Sequence, residues 1–297
     1  MRDGLLSKRL TDLAAALAPA RPLSIVDVGA NPLHDPPYAP LAEAGLAHLV
    51  GFEPQAEAYA ALTENAPEHA QFINAAVGPA GTGTLHVYPR QSGLASLFQL
   101  RQRTLQYLRR FQALPDQATH HPVTLDSLDA LNGVSAIDLL KLDVQGAELD
   151  VIRGARAKLA QATAVIVELR YFPLYENEPT FADVHSELTD QGFSMHKMLD
   201  HNRFAVGSRH IDALNRRRVR SQLIDGDAVY VRNLDGIDDA ETDALITLAL
   251  LSAGAWTSHD LTLRCLEILE DRGRVPAQAA QTYIADLPSD LRRAGAA

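Results

Sequence analysis

Short apolar runs separated by amphipathic stretches organise the chain. The runs fall at 23–28, 48–52, 71–77, 137–144, 164–169, 193–198 and 227–232, most of them rich in Val, Ile, Leu and Ala. Several are apolar at nearly every position, as strands buried on both faces of a parallel sheet must be. The stretches between them, such as 147–159 and 181–191, have helical periodicity and the length of crossover connections. This alternation predicts an α/β fold, a doubly wound sheet with helices on both faces.

The two ends and one internal segment depart from the alternation. Residues 4–18 read as an amphipathic helix with Leu5, Leu6, Leu10, Leu13 and Leu17 near one face, so 1–19 is set apart as an N-terminal helix. Within the sheet domain, 20–233, the stretch from about 79 to 134 is too long for one crossover. It is read as an insertion holding an extra strand at 84–88 and an arginine-rich helix, and insertions of this kind carry specificity. From 234 to 297 the pattern becomes helical, at about 239–252 and 259–271, the second opened by Thr257 or Ser258 and closed by Gly273. This C-terminal helical appendage is expected to pack through Leu245, Leu248, Leu261 and Leu269 on the sheet domain or on a second subunit, the latter giving a homo-oligomer.

Composition narrows the function classes. Of 297 residues, 46% are hydrophobic and 22% charged, an ordinary balance for a chain with a large core. The net charge of -10 argues against nucleic acid as the main partner, because such binding neutralises phosphates with a basic surface. No apolar run approaches the roughly 20 residues of a membrane span. Charges at Arg2, Asp3, Lys8, Arg9 and Asp12 fall where a signal peptide would be apolar, so the expected location is cytoplasmic. The single cysteine, Cys265, sits among Leu261, Leu266, Ile268 and Leu269 and reads as a packed helix position. Two basic clusters run against the overall charge: Arg101, Arg103, Arg109 and Arg110, and Arg216, Arg217, Arg218 and Arg220. They are either solvated surface or a contact for phosphate on an anionic substrate.

Candidate chemistry gathers at strand ends. The first strand finishes in Asp27-Val28-Gly29-Ala30-Asn31, where small residues let a ligand approach the backbone and Asn31 tolerates positive φ. A dinucleotide would require G-x-G-x-x-G and an immediate helix to meet its pyrophosphate. Here one glycine is followed by Pro32, Pro36 and Pro37, which favours a nucleotide-like cofactor without phosphates. Glu53 ends the second strand where ribose hydroxyls are bound in such sheets. Asn74 and Ala75 at the third offer a small polar group and a flat surface for a base. Asp143 ends the fourth strand and is either an active-site carboxylate or the N-cap of the next helix. Glu168 ends the fifth, followed by Arg170, Tyr171 and Tyr175, and could equally be paired with Arg170 or Lys141.

The ordered series of motifs resembles the FkbM-type methyltransferases: Val-Asp-Val-Gly-Ala-Asn at 26–31, Phe-Glu-Pro at 52–54, Asn-Ala-Ala-Val-Gly at 74–78, Val-Thr-Leu-Asp-Ser-Leu at 123–128, Lys-Leu-Asp-Val-Gln-Gly-Ala-Glu at 141–148 and the glutamate at 168. The resemblance spans about 20–233. It implies a Rossmann-like class I methyltransferase fold using S-adenosylmethionine. Asp27 and Gly29 would lie by the methionine moiety, Glu53 by the ribose, and Asn74 and Ala75 by the adenine, with Ala30, Asn31 and Asp143 also among the cofactor-binding residues. The family is associated with O-methylation of sugars and natural products, so the acceptor expected is a small molecule or glycan. Two positions differ from the family pattern. Gln145 stands where glutamate is usual, and the first turn runs into a proline-rich loop at 32–38 instead of through glycine into a helix.

The reaction this predicts is attack by a substrate hydroxyl on the sulfonium methyl, with Asp143 as base and Glu168 and His121 behind it. A divalent cation bridging Asp143 and Glu168 is an open alternative. Ser96, Tyr171 and Tyr175 are the expected substrate contacts. His120, His121, His196 and His201 lack the spacing of a zinc set. Two rival classes remain: a nicotinamide-dependent oxidoreductase, disfavoured by the missing glycines, and a methyltransferase-like binding or scaffolding protein.

Overall fold

In the computed structural model, which describes residues 2–33, 35–64 and 66–293, the predicted runs form one central sheet. The strands are β1 Leu23–Val28, β2 Ala47–Phe52, β3 Ala70–Ile73, β4 Ala76–Val77, β5 Gly81–Val87, β6 Thr119–Asp126, β7 Leu139–Leu142, β8 Ala164–Arg170, β9 Phe193–Met198, β10 Asn202–Phe204 and β11 Gln222–Arg232. The large sheet has the order β10-β11-β8-β7-β1-β2-β3, with β9 also on β11. The five strands β3, β2, β1, β7 and β8 are mutually parallel, and β11 runs antiparallel to β8. The fold is therefore mixed α/β with a mostly parallel sheet, as the alternation predicts. The insertion supplies β5 and β6, which join β4, the end of the run 71–77, in a small second sheet, β4-β6-β5.

Each central strand alternates between two cores. Leu23 and Ile25, Leu139, Ala164 and Ile166, and Val229 and Val231 face one. Val26 and Val28, Leu140 and Leu142, Val165 and Val167, and Ala228 and Tyr230 face the other. The second core is covered by the crossover helices α5 Glu148–Arg153, α6 Arg156–Leu159 and α7 Phe181–Asp190, through Val151, Ile152, Leu159, Val184 and Leu188. The expected helix 147–159 is thus two, with Gly154 capping the first.

The first core is covered from the two ends of the chain. Helices α1 Arg2–Leu17, α2 Ala39–Glu43, α8 Thr242–Gly254, α9 His259–Asp271 and α10 Ala279–Ala285 share one apolar cluster with the sheet, including Leu10, Leu41, Leu245, Leu251, Trp256, Leu266 and Tyr283. Leu245, Leu248, Leu261 and Leu269 all lie in it. Its largest buried side chain is Trp256. Cys265 is fully buried, and that burial pushes its thiol up to about 12. The remaining helices, α3 Ala56–Glu64 and α4 Gln102–Leu108, lie outside both cores, α4 packing with Tyr88, Leu100, Leu174 and Tyr175. No helix among the described residues is long and apolar enough to cross a membrane.

Candidate active site at the carboxyl edge of the sheet

The same alternation that builds the first core places polar groups where its helical cover ends. Two residues beyond Ile25 comes Asp27, beyond Leu139 comes Lys141, and beyond Ile166 comes Glu168. Because β11 is antiparallel, its early residues lie beside these ends: Asp227 is in register with Glu168, and Asp225 with Arg170. A cavity of about 1040 Å³ opens there, lined by residues from the ends of β1, β2, β7 and β8 and the start of β11. Lys141 is the one ammonium or guanidinium lining it among the described residues, against carboxylates at Asp35, Glu43, Glu53, Asp143, Glu168, Asp200, Asp225 and Asp227.

On the β1–β2 side, Gly29 has φ +87°, and a Cβ there would sit 1.9 Å from the backbone oxygen of Asp143, so only glycine fits. Asn31 is not in the left-handed region; its Oδ1 accepts a hydrogen bond from the Leu33 amide, a local turn. The amides of Gly29 and Ala30 both donate to the Phe52 carbonyl, at 2.9 and 3.0 Å. Donors that a pyrophosphate would need are therefore already used by β2, and the next helix begins only at Ala39, with Pro32, Pro36 and Pro37 between. His34 of this loop lies outside the described residues.

Glu53 is 2% exposed. One oxygen accepts the Gln55 amide at 2.7 Å, while the other has no donor among the described residues. Burial pushes its carboxyl up to about 7 although the Gln55 contacts oppose it. Asn74 does not reach the cavity; its side-chain amide donates to the Glu53 carbonyl and so interrupts the expected strand 71–77 between β3 and β4. Ala75, Ala76 and Val77 supply a flat apolar wall.

Asp27 lies beneath this turn, 2% exposed and held by Tyr38, whose hydroxyl donates at 2.6 Å. Its other oxygen has no hydrogen-bond donor of proper angle but lies 3.3 Å from Lys141 Nζ. The same ammonium is 3.7 Å from Asp143 Oδ2. Burial works against the charge on Lys141, yet Asp27 and Asp143 outweigh it and raise its pKa.

The β7–β8 side is densely paired. Gln145 adopts a left-handed φ of +57°, followed by Gly146 at +110°, which turns its amide back over the strand ends. Gln145 Nε2 donates to Asp143 Oδ1 at 2.8 Å and to Glu168 Oε2 at 3.0 Å. Arg170, 3% exposed at its side chain, donates to Glu168 at 2.8 Å, Glu178 at 3.1 Å and Asp225 at 2.6 Å. Burial raises the pKa of Glu168, with Arg170 opposing and Asp143 adding to the rise. Burial and Asp143 likewise push Asp227 up to about 6. Asp143 does not cap the following helix: Ala147 is the N-cap residue, and Glu148 accepts the amides of Val144 and Gly146. The point between Asp143 and Glu168 that a bridging cation would occupy is taken by the Gln145 amide. Among the described residues no group of three His, Cys, Asp or Glu side chains is arranged to hold a metal ion.

The cavity thus brings together Gly29, Ala30, Asn31, Glu53, Ala75, Asp143 and Glu168, with Asp27 and Asn74 behind them. Four expected residues are not brought to it. His121 lies on β6 in the small sheet with its ring against Thr119. Ser96 is 1% exposed and donates to the Gln145 carbonyl. Tyr175 is fully buried, its hydroxyl donating to Gln145 Oε1 at 3.0 Å. Tyr171 packs against Phe181 and Met198. Ser96 and Tyr175 hold the backbone and amide of Gln145, so they touch the site only from behind. Sequence reasoning missed Tyr38, Asp200, Asn202, Asp225 and Asp227. The last two keep the in-out phase of Val229 and Val231, a signal present in the sequence.

A family model described as the methyltransferase FkbM domain matches residues 27–195. No curated protein sequence matches the chain. Solved structures similar to it include magnesium protoporphyrin IX methyltransferase from Synechocystis PCC 6803 with bound SAM, 13% identical over 78% of this chain and 79% of that one, TM-score 0.37. Another is 1,6-didemethyltoxoflavin-N1-methyltransferase from Burkholderia thailandensis, 13% identical over 77% and 79%, TM-score 0.37. A third is precorrin-6y C5,15-methyltransferase from Geobacter metallireducens GS-15, 10% identical over 75% and 88%, TM-score 0.35.

Proposed function

This chain belongs to the FkbM methyltransferase family, and from that premise we propose that it binds S-adenosylmethionine in the cavity and transfers the methyl group to a hydroxyl oxygen of a small-molecule or glycan acceptor. The observation that carries the reading is the pairing of two carboxylates across one cavity: Glu53, with a free oxygen at the end of β2, and Asp143, accessible at the end of β7.

The residues present fit the cofactor. Glu53 can accept both ribose hydroxyls, and Ala75, Ala76 and Val77 form a surface for the adenine. A first turn whose amides are spent on Phe52 suits a molecule without phosphates. The carboxylate-rich lining favours a cation such as a sulfonium. When bound, the cofactor supplies an electrophilic methyl whose bond to sulfur breaks with the electron pair remaining on sulfur.

Asp143 then accepts the hydroxyl proton as the acceptor oxygen forms its bond to carbon. Gln145 and Lys141 hold the carboxylate in place, so that alignment needs no rearrangement. Glu168, tied to Gln145 and Arg170, fixes the amide that fixes Asp143. The side chain of Asp143 keeps 38% of its surface exposed, which leaves room for an acceptor.

Calorimetry with S-adenosylmethionine, S-adenosylhomocysteine and NAD tests the cofactor, and transfer of labelled methyl to a panel of hydroxyl acceptors tests the reaction. Binding of the first two without NAD is expected. Binding of NAD alone would overturn the proposal in favour of a redox enzyme.

A further inference from the structure

A second concavity, of about 310 Å³, lies where α4 ends against the segment following β10. It is lined by Arg110, Arg216, Arg217 and Arg220 together with Leu108 and Phe204. Its geometry is built by the backbone. Arg109 and Phe111 both adopt left-handed φ, +47° and +60°, which turns the chain sharply after α4. The Gly207 amide donates to the Tyr107 carbonyl at 3.0 Å, and any Cβ at Gly207 would come within 2.6 Å of that oxygen, so the segment after β10 is pinned to the helix end. The Arg110 guanidinium lies 4.4 Å from the ring centroids of both Phe111 and Phe204. Stacking holds its plane and leaves its N–H edge free to donate.

These cations have little counter-charge of their own. Among the described residues, Arg110, Arg217 and Arg220 have no carboxylate within ion-pair distance, and Arg216 has only the exposed Asp212 at 3.9 Å. Burial, Arg220 and Arg216 all lower the pKa of Arg110, so the crowding is felt. In a chain of net charge -10, four arginines converge here, three without an acidic partner among the described residues and one with a single exposed aspartate, a match for an anionic group.

The pocket is also close to the reaction. Asn202 lines the main cavity and Phe204 lines the basic one, and they are two residues apart on β10, roughly 7 Å along a strand. We propose that the basic pocket binds a phosphate or diphosphate group of the acceptor, so that the molecule methylated is a phosphorylated one whose charge is anchored beside β10. The link to the acceptor rests on the proposed transfer reaction; anion binding by the pocket does not.

The test uses the full chain at low salt and inorganic pyrophosphate as probe. Calorimetry should show pyrophosphate binding that falls tenfold or more in Arg217→Gln with Arg220→Gln, while S-adenosylmethionine affinity and Tm stay as in the parent. Equal pyrophosphate affinity in parent and variant would overturn the pocket. Phosphorylated sugars should be methylated with a KM at least tenfold below their dephosphorylated forms, and the variant should erase that preference without changing kcat. Indifference to the phosphate would overturn its role in the acceptor. Should the chain bind anionic vesicles through these arginines yet ignore soluble pyrophosphate, the small-phosphate assignment fails. Absent S-adenosylmethionine binding with intact pyrophosphate binding would instead sink the proposed reaction and leave the pocket standing.

Discussion

The two halves of the carboxyl edge carry the same residue types in opposite states of partnership. At β1 and β2 the acidic groups have few internal partners, and Glu53 keeps an oxygen with no donor. At β7 and β8 nearly every polar atom is engaged, with Arg170 serving three carboxylates and Gln145 bridging two. The first half therefore keeps acceptor capacity at the cavity for a ligand, whereas the second spends its hydrogen bonds on holding a shape. Binding and positioning are divided between two sides of one cavity.

The largest effect expected from breaking this division is at Arg170. Arg170→Met leaves Glu168, Glu178 and Asp225 buried without their cation and should cost about 3 to 5 kcal/mol, read as a lower urea midpoint at unchanged slope. A loss under about 1 kcal/mol would mean that the three carboxylates are not held by this one group. Next comes Asp143→Asn, which keeps the shape but removes the base: kcat should drop about a hundredfold or more with little change in cofactor affinity. Wild-type turnover with a competent acceptor would move the base elsewhere.

On the other half, Glu53→Ala should weaken S-adenosylmethionine binding by about 1 to 3 kcal/mol in calorimetry. Unchanged affinity in a folded variant would remove Glu53 from the ribose. Its carboxyl also sets a pH dependence. In the folded chain it is raised to about 7 from an ordinary 4.5, so between those values the unfolded chain holds fewer protons and stability declines as pH rises. Glu53→Gln should flatten that decline in a melting series from pH 4.5 to 7. Since ribose hydroxyls are best accepted by the ionised carboxylate, cofactor affinity should climb over the same range and binding should release a proton. The smallest expected effect is His121→Ala, within about twofold of the parent kcat, because His121 stands outside the cavity; a tenfold loss would require the small sheet to reach the reaction.

Strand phase made much of this arrangement readable in advance. The run 23–28 coincides with β1, whose apolar residues are buried in the sheet, and 193–198 with β9, anchored by the buried Phe193. The run 227–232 reaches back to Gln222 in the structure, because Asp225, which breaks the apolar run, pairs with Arg170 at the cavity while Ile224 stays buried. Local chemistry was harder to anticipate where it depends on distant partners. Nothing near Asn74 signals that its amide serves Glu53, and Tyr175 looks like a substrate contact until its hydroxyl is found on Gln145. Arg110, just after α4, and the arginines of 216–220 are about a hundred residues apart in sequence, so their meeting in one pocket is a property of the fold alone.

Lys141 stands at the boundary of the two halves, its single ammonium within 3.3 Å of Asp27 and 3.7 Å of Asp143. One charge shared in this way makes the two occupants of the cavity thermodynamically interdependent. A cation arriving over the first turn draws on the same carboxylates that Lys141 balances, and the free energy of placing an acceptor beside Asp143 changes with it. Linkage makes the effect mutual: by whatever factor the cofactor alters acceptor affinity, the acceptor alters cofactor affinity by the same factor. Coupled binding of the two reactants would then follow from one side chain, and Lys141→Met would leave two independent binding events in its place.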